Sequence, residues 1–156
     1  MVIFVDMPES DFAIWKERAI VEYAADKVKA GNDTDEGGLE RSRKEFESLL
    51  PGGAKTSGHH ILAVVDETTG QKVGRIWYAN PPGPRSDMLW IYDIEIDEAQ
   101  RGKGYGTAAL KLAEQKAKEL GKKRMGLHVF AHNPRAKELY ERLGYRATNI
   151  SMSKDL

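Results

Sequence analysis

Apolar positions along this chain change period several times, and each change predicts an element. Residues 2–5 form a short apolar run of strand length. Phe12, Trp15, Ala19, Val21 and Val28 then recur near helical spacing, which predicts a helix from a cap at Ser10 to a stop at Gly31. The stretch 31–38 is polar and bounded by glycines, as a loop should be. A second helix is expected over 39–50, with Phe46, Leu49 and Leu50 on one side and Pro51-Gly52-Gly53 ending it. Runs at 61–65 and 72–78 flank Thr69-Gly70 and predict a β-hairpin. A proline-rich excursion at 80–87 leads to an alternating strand at 88–97. Beyond it the pattern predicts a helix over 105–120 stopped by Gly121, a strand over 124–131, a helix over 134–143 stopped by Gly144, and a last strand near 145–153. There is no repeat and no interdomain linker, so the expectation is one α/β domain, residues 1–156, built on a mixed sheet.

The chemistry concentrates where the strand at 88–97 turns into the next helix, in Gln100-Arg101-Gly102-Lys103-Gly104-Tyr105-Gly106-Thr107. Glycine allows a tight turn and close approach of backbone N–H groups to a ligand. The first N–H groups of a helix lack partners within it, and the helix dipole favours an anion there. A strand, a glycine loop with Arg and Lys, and a helix together predict a phosphate cradle. Two common phosphate loops fit poorly. No Gly-Lys-Ser/Thr triplet is present for a P-loop. The dinucleotide fingerprint would need glycine at Thr107 and an acidic residue ending the next strand, where 125–131 holds no carboxylate.

The pattern Arg101-x-x-Gly104-x-Gly106 instead resembles the acyl-CoA pyrophosphate loop of the GCN5-related N-acetyltransferase (GNAT) superfamily. A second segment, Asn133-Pro134-Arg135-Ala136-Lys137-Glu138-Leu139-Tyr140-Glu141-Arg142-Leu143-Gly144-Tyr145, resembles that family's N-x-x-A-x-x-L-Y-x-x-x-G-F/Y segment. The likeness is firm over 88–150 and diffuse before it. It implies the GNAT fold, a mixed, mostly antiparallel sheet flanked by helices on both faces. It also implies an acyltransferase that moves acetyl from acetyl-CoA directly to a primary amine on a small molecule or peptide. By this resemblance Tyr140 is the general acid toward the leaving thiolate, a role that suits a phenol of reference pKa about 10. Its helical spacing from Ala136 and Leu143 equally suits a core tyrosine. Two residues compete for the role of base or water-relay partner. Glu95 shares a strand face with Asp93 and Asp97, where a solvated face is the plainer reading. His128 stands where several relatives carry Glu; imidazole suits base work, and a structural histidine is the plainer reading. The resemblance further assigns the main chain of Ile94 and Ile96 to the pantetheine arm and, over 94–96, to the oxyanion. It gives the phosphates to Arg101, Gly102, Lys103, Gly104, Tyr105, Gly106 and Thr107, and the pantetheine arm or acceptor to Asn133. Asn133 also precedes Pro134 as a helix cap should.

Composition narrows this picture. With no cysteine, an acyl-cysteine intermediate is impossible and transfer must pass directly from thioester to acceptor. The 24 basic and 24 acidic residues cancel, which argues against nucleic acid as a partner. No apolar run approaches the roughly 20 residues of a membrane span, and the N-terminus has no signal-peptide pattern, so a cytoplasmic protein is expected. Neither His128 with His132 nor the adjacent His59 and His60 has metal-site spacing, so no metal is expected. His60 opens a strand that lies near the acceptor pocket in relatives. The acidic residues 93, 95, 97 and 98 hint at a cationic acceptor. The basic cluster at Lys116, Lys118, Lys122, Lys123 and Arg124 reads as pairing with a helix end. Relatives are often dimers, which makes a homodimer one expectation that the residues themselves do not decide. The competing function is a non-catalytic acyl-CoA-binding module of the same fold, followed by a nucleotide-binding protein.

Overall fold

The computed structural model describes residues 1–81 and 83–156. Pro82, in the expected proline-rich excursion, lies outside the described residues. The elements in chain order are β1 (Val2–Asp6), α1 (Glu9–Lys29), α2 (Asp35–Leu49), β2 (His59–Asp66), β3 (Lys72–Ala79), β4 (Met88–Ile96), α3 (Tyr105–Glu119), β5 (Arg124–Leu127) and α4 (Pro134–Arg142). They fall into two compact units, Met1–Ile14 with Leu50–His128, and Trp15–Leu49 with Val129–Leu156.

The first unit holds the sheet, in the order β1-β2-β3-β4-β5. Three neighbouring pairs run antiparallel and β4–β5 runs parallel, the mixed, mostly antiparallel sheet that the sequence implies. The β2–β3 turn closes on Asp66, whose carboxylate accepts the N–H groups of Thr68 and Thr69 at 2.8 and 3.1 Å. A parallel pair needs a crossover, and α3 supplies it between β4 and β5. This helix packs on β1 and β4 through Ala109, Leu110, Ala113 and Ala117, all buried. Leu110, Leu89, Ile76 and Val64 are fully buried, each stabilising the fold by about 1.5–3 kcal/mol. Gly74 allows β3 and β4 to meet closely, since a Cβ there would collide with the Glu95 carbonyl.

In the second unit, Ser42 of α2 donates to the Ile20 carbonyl of α1 at 2.7 Å, and Arg43 forks onto Glu17 at 2.8 and 3.0 Å. Tyr23 meets Phe46 and Phe130 with ring centroids 6.1 and 6.3 Å apart. His132 Nε2 lies 2.8 Å from Asp26, tying the segment before α4 to α1.

Four boundaries differ from expectation. Ser10 lies inside the first turn of α1 rather than capping it, because Phe12 N–H already bonds the Pro8 carbonyl at 2.9 Å. α2 begins at Asp35, within the expected loop, with a break at Glu36–Gly37 bridged by Arg41 bonded to Asp33 and to the Glu36 carbonyl. β5 stops at Leu127 instead of continuing to 131; a turn closed by Asn133 N–H on the Phe130 carbonyl takes over. Residues 145–153 form no strand: their alternation is strand-like, but no ladder includes them.

Candidate functional site

The geometry of β4 prepares a binding edge. On its inner side β4 pairs with β3 along its length, and Asp97 N–H bonds the Val73 carbonyl at 2.9 Å. Antiparallel alternation then makes Gly74–Ile96 and Ile76–Ile94 non-hydrogen-bonded pairs, so Ile94 and Ile96 turn their backbone groups outward. On the outer side, β5 pairs only with Met88 to Ile91. Past that point no described strand meets β4, and the backbone polar groups of Ile94 and Ile96 point away from β3. The Ile96 carbonyl accepts from Arg101 Nε at 3.0 Å, in keeping with its outward direction.

The glycine loop follows directly. Gly104 sits before α3 with φ 85°, ψ 4°, a left-handed conformation that ordinary residues avoid, and no side chain caps the helix. The first helical bond is from Ala108 N–H to the Gly104 carbonyl at 3.0 Å. The N–H groups of Tyr105, Gly106 and Thr107 are therefore the unpaired donors of the helix start. Gly102 is also left-handed, and a Cβ at either glycine would point into open space. The cradle suits an anion. The loop's side chains do different work from its backbone. Lys103 Nζ is held by Gln100 at 2.9 Å, and the Tyr105 hydroxyl donates to Asp66 at 2.5 Å, pinning the start of α3 to the end of β2.

Glu95 is committed to cations. Arg75, with a side chain only 7% exposed, bonds Asp93 at 2.9 Å and Glu95 Oε2, while Arg101 approaches Glu95 Oε1 at 3.7 Å. The carboxylates of 93 and 95 are met by guanidinium groups of the protein itself. His128 is the residue after β5 and is exposed.

The second unit carries the other predicted residues. Asn133 caps α4, its Oδ1 accepting Ala136 N–H at 3.4 Å, with Pro134 as first helical residue. Tyr140 is half-buried on α4. The helix ends with Gly144 at φ 93°; Gly144 N–H bonds the Glu141 carbonyl and Tyr145 N–H the Tyr140 carbonyl, both at 3.0 Å. This paired closure folds Tyr145 back onto Tyr140, ring centroids 5.9 Å apart. The L-Y-E-R-L-G-Y stretch thus encodes both the tyrosine and its support.

A third group escaped sequence reasoning. His59 and His60 point to opposite faces, as extended neighbours must. His60 stacks on Tyr78 at 5.0 Å. His59 instead accepts the Trp77 indole N–H on Nδ1 at 3.0 Å and lies 5.7 Å from Tyr92. Trp77 and Tyr92 stack at 4.6 Å. Tyr92 is brought there by a bulge: Trp77 pairs with Asp93 and Tyr78 with Ile91, leaving Tyr92 as the extra residue. Burial, then the charge of His60, lowers the His59 pKa. The histidine pair gave a signal, but which ring joins the cluster depends on strand register. The basic cluster near the end of α3 is absorbed locally: Lys122 bonds the Ser86 carbonyl, Lys116 pairs with Glu119, and Arg124 forks onto Asp87. Among the described residues no three His, Asp or Glu side chains gather as a metal site. No described helix is long and apolar enough to cross a membrane.

Comparison with known proteins adds a second line. A family model described as Acetyltransferase (GNAT) family matches residues 20–145. YdgE of Bacillus subtilis, an uncharacterized N-acetyltransferase, is 36% identical over 152 residues, covering 97% of this chain and 96% of that protein. YycN of Bacillus subtilis, likewise an uncharacterized N-acetyltransferase, is 36% identical over 157 residues, with 99% of each covered. The crystal structure of YycN matches with a TM-score of 0.91 and 35% identity, over 100% of this chain and 99% of that one.

Proposed function

This chain belongs to the acetyltransferase (GNAT) family, and from that premise we propose that it moves the acetyl group of acetyl-CoA directly to a primary amine. The carrying observation is the continuous run from the open edge of β4, at Ile94 and Ile96, to the uncapped start of α3. An extended arm with amide groups fits the first as an added strand, and a pyrophosphate fits the second. Ile94 offers its N–H and carbonyl to the arm and Ile96 its N–H, since the Ile96 carbonyl is shared with Arg101. Gly102 to Thr107 offer backbone donors to the phosphates.

In this reading the neutral amine attacks the thioester carbon. The C–N bond forms, the carbonyl oxygen carries the negative charge until the C–S bond breaks, and the amine loses a proton. The oxyanion falls to main-chain N–H groups of 94–96. Tyr140 gives its proton to the departing CoA thiolate. The two guanidinium groups on Glu95 support His128 as the group that takes the amine proton, directly or through water, with Glu95 holding Arg75 and Arg101 in place. Asn133 keeps its role as cap and offers its remaining polar groups to the arm or the acceptor.

The test combines titration and turnover. Calorimetry with acetyl-CoA, CoA, ATP and NAD should show selective binding of the CoA species. An amine panel should then identify a substrate, with Tyr140→Phe lowering kcat about 100-fold while acetyl-CoA affinity holds. Tight CoA binding without acetylation of any amine would favour a binding module over an enzyme. Absence of CoA binding by folded protein would sink the proposal.

A further inference from the structure

The charges on the β2–β3–β4 face carry information about the acceptor that the acidic residues alone do not. Pairing places Arg75, Trp77 and Ala79 of β3 beside Glu95, Asp93 and Trp90 of β4, all on one face, with His59 opposite Ala79. Two carboxylates of β4 on this face, Asp93 and Glu95, are bound to Arg75. What remains to greet a ligand is different in kind.

His59 receives the Trp77 N–H on Nδ1, so the neutral ring must carry its proton on Nε2. Its other edge is a fixed donor. A neutral His59 in this bond cannot serve as a base without losing the tautomer that Trp77 selects. Tyr92 stands beside it, half-buried, with a hydroxyl that donates or accepts. Arg85, in the short helical turn Gly83–Arg85, lies over the Trp90 ring with its guanidinium carbon 4.9 Å from the ring centroid. The ring face attracts the guanidinium without using its N–H groups as hydrogen-bond donors. Arg85 is exposed and makes no ion pair among the described residues. It is also close enough to Tyr92 for its charge to oppose the upward effect of burial on that phenol. Two donors, His59 Nε2–H and the Arg85 guanidinium, therefore accompany the Tyr92 hydroxyl on a face where Asp93 and Glu95 are already paired with guanidinium groups.

We propose that His59, Tyr92 and Arg85 form an acceptor subsite for an oxyanion, so that the amine this protein acetylates carries a carboxylate near an apolar or planar body. The inference rests on the acetyl-transfer reading given above and names the substrate class for it. It reverses the hint of a cationic acceptor from residues 93, 95, 97 and 98. The carboxylate binds the guanidinium and imidazole N–H groups, and the part-exposed rings of Trp90 and Tyr92 flank the body of the substrate, with buried Trp77 behind them holding His59.

Matched amines that differ only by a carboxylate give the test: phenylalanine against phenethylamine, leucine against isopentylamine. The readout is the ratio of kcat/KM between the members of each pair, with fluorescence titration of the tryptophans in CoA-loaded protein as a binding measure that needs no turnover. The wild-type protein should favour the carboxylate member. Arg85→Glu should lower the ratio at least about tenfold, Arg85→Lys should keep most of it, and His59→Phe should lower it by a smaller factor. Arg85 is exposed, so loss of fold will not mimic the result. A preference for the decarboxylated amine, a ratio unmoved by Arg85→Glu, or acetyl-CoA binding with no response to either member would each overturn the inference while leaving acetyl-CoA recognition standing. If acetyl-CoA itself fails to bind, the acetyl-transfer reading falls, and this inference with it.

Discussion

α3 follows Gly104, which has φ 85° and no side chain to offer; α4 follows Asn133, whose side chain accepts from Ala136. The two starts sit in the same chain and obey the same rule, that the first turn of a helix leaves N–H groups unmatched. At α4 the matter is partly met locally: the Ala136 N–H is capped, and Pro134 has no N–H. At α3 no side chain among the described residues caps the start, and the two glycines before it, Gly102 and Gly104, are left-handed with open space where a Cβ would stand. A capped start stabilises its own helix. An uncapped one, set after a strand with an open edge, keeps its hydrogen-bonding capacity for something else.

Converting one start into the other tests that contrast. The largest effect is expected from Gly104→Asp, which places a carboxylate where the anion should sit and forces a side chain into a left-handed backbone. Acetyl-CoA affinity should fall about 100-fold or more in calorimetry, with circular dichroism showing the helices retained. Gly104→Asn sharpens the result, because Asn tolerates this backbone and carries no charge; its loss should be nearer tenfold. The reverse conversion, Asn133→Ala, should cost about 1 kcal/mol of stability, read from urea denaturation. The smallest effect concerns the pin on α3. The Tyr105 hydroxyl, then the Thr68 and Thr69 N–H groups, hold the Asp66 carboxyl below its usual range. That interaction stabilises the fold above the unfolded carboxyl value of about 4, and the stabilisation is lost as pH falls through the lowered folded value. Tyr105→Phe should therefore be less sensitive to acid: its urea midpoint should drop less between about pH 6 and pH 3 than that of the parent.

Much of this was legible because it is local. The strand, glycine loop and helix from Met88 to Glu119 follow one another in sequence, and Asn133-Pro134 announces its own cap. That the backbone groups of Ile94 and Ile96 turn away from β3 emerged only from the register. What sequence could not supply depends on distant partners. Glu95 looked like a free carboxylate until β3 brought Arg75 across from it. Which of two adjacent histidines joins Trp77 turns on a single residue of register, and the bulge at Tyr92 has no marker in the sequence. Arg85 was one cation among many in a proline-rich excursion until it was seen over Trp90. The alternation at 145–153 misled in the other direction, since a strand needs a neighbour as well as a pattern.

The open stretch of β4 also bears on how the molecule keeps to itself. A sheet edge with unpaired backbone groups is a template on which another chain can extend the sheet, the usual first step toward aggregation. Here Arg101 already occupies the Ile96 carbonyl, β5 blocks the edge up to Ile91, and Asp93 and Glu95 carry charge between them. The gap left is long enough for a ligand that asks for two or three hydrogen bonds and too short for a strand that needs a continuous ladder. Removing the Arg101 side chain would lengthen that gap by one acceptor, so self-association at high concentration, rather than lost activity alone, is where its absence should be felt.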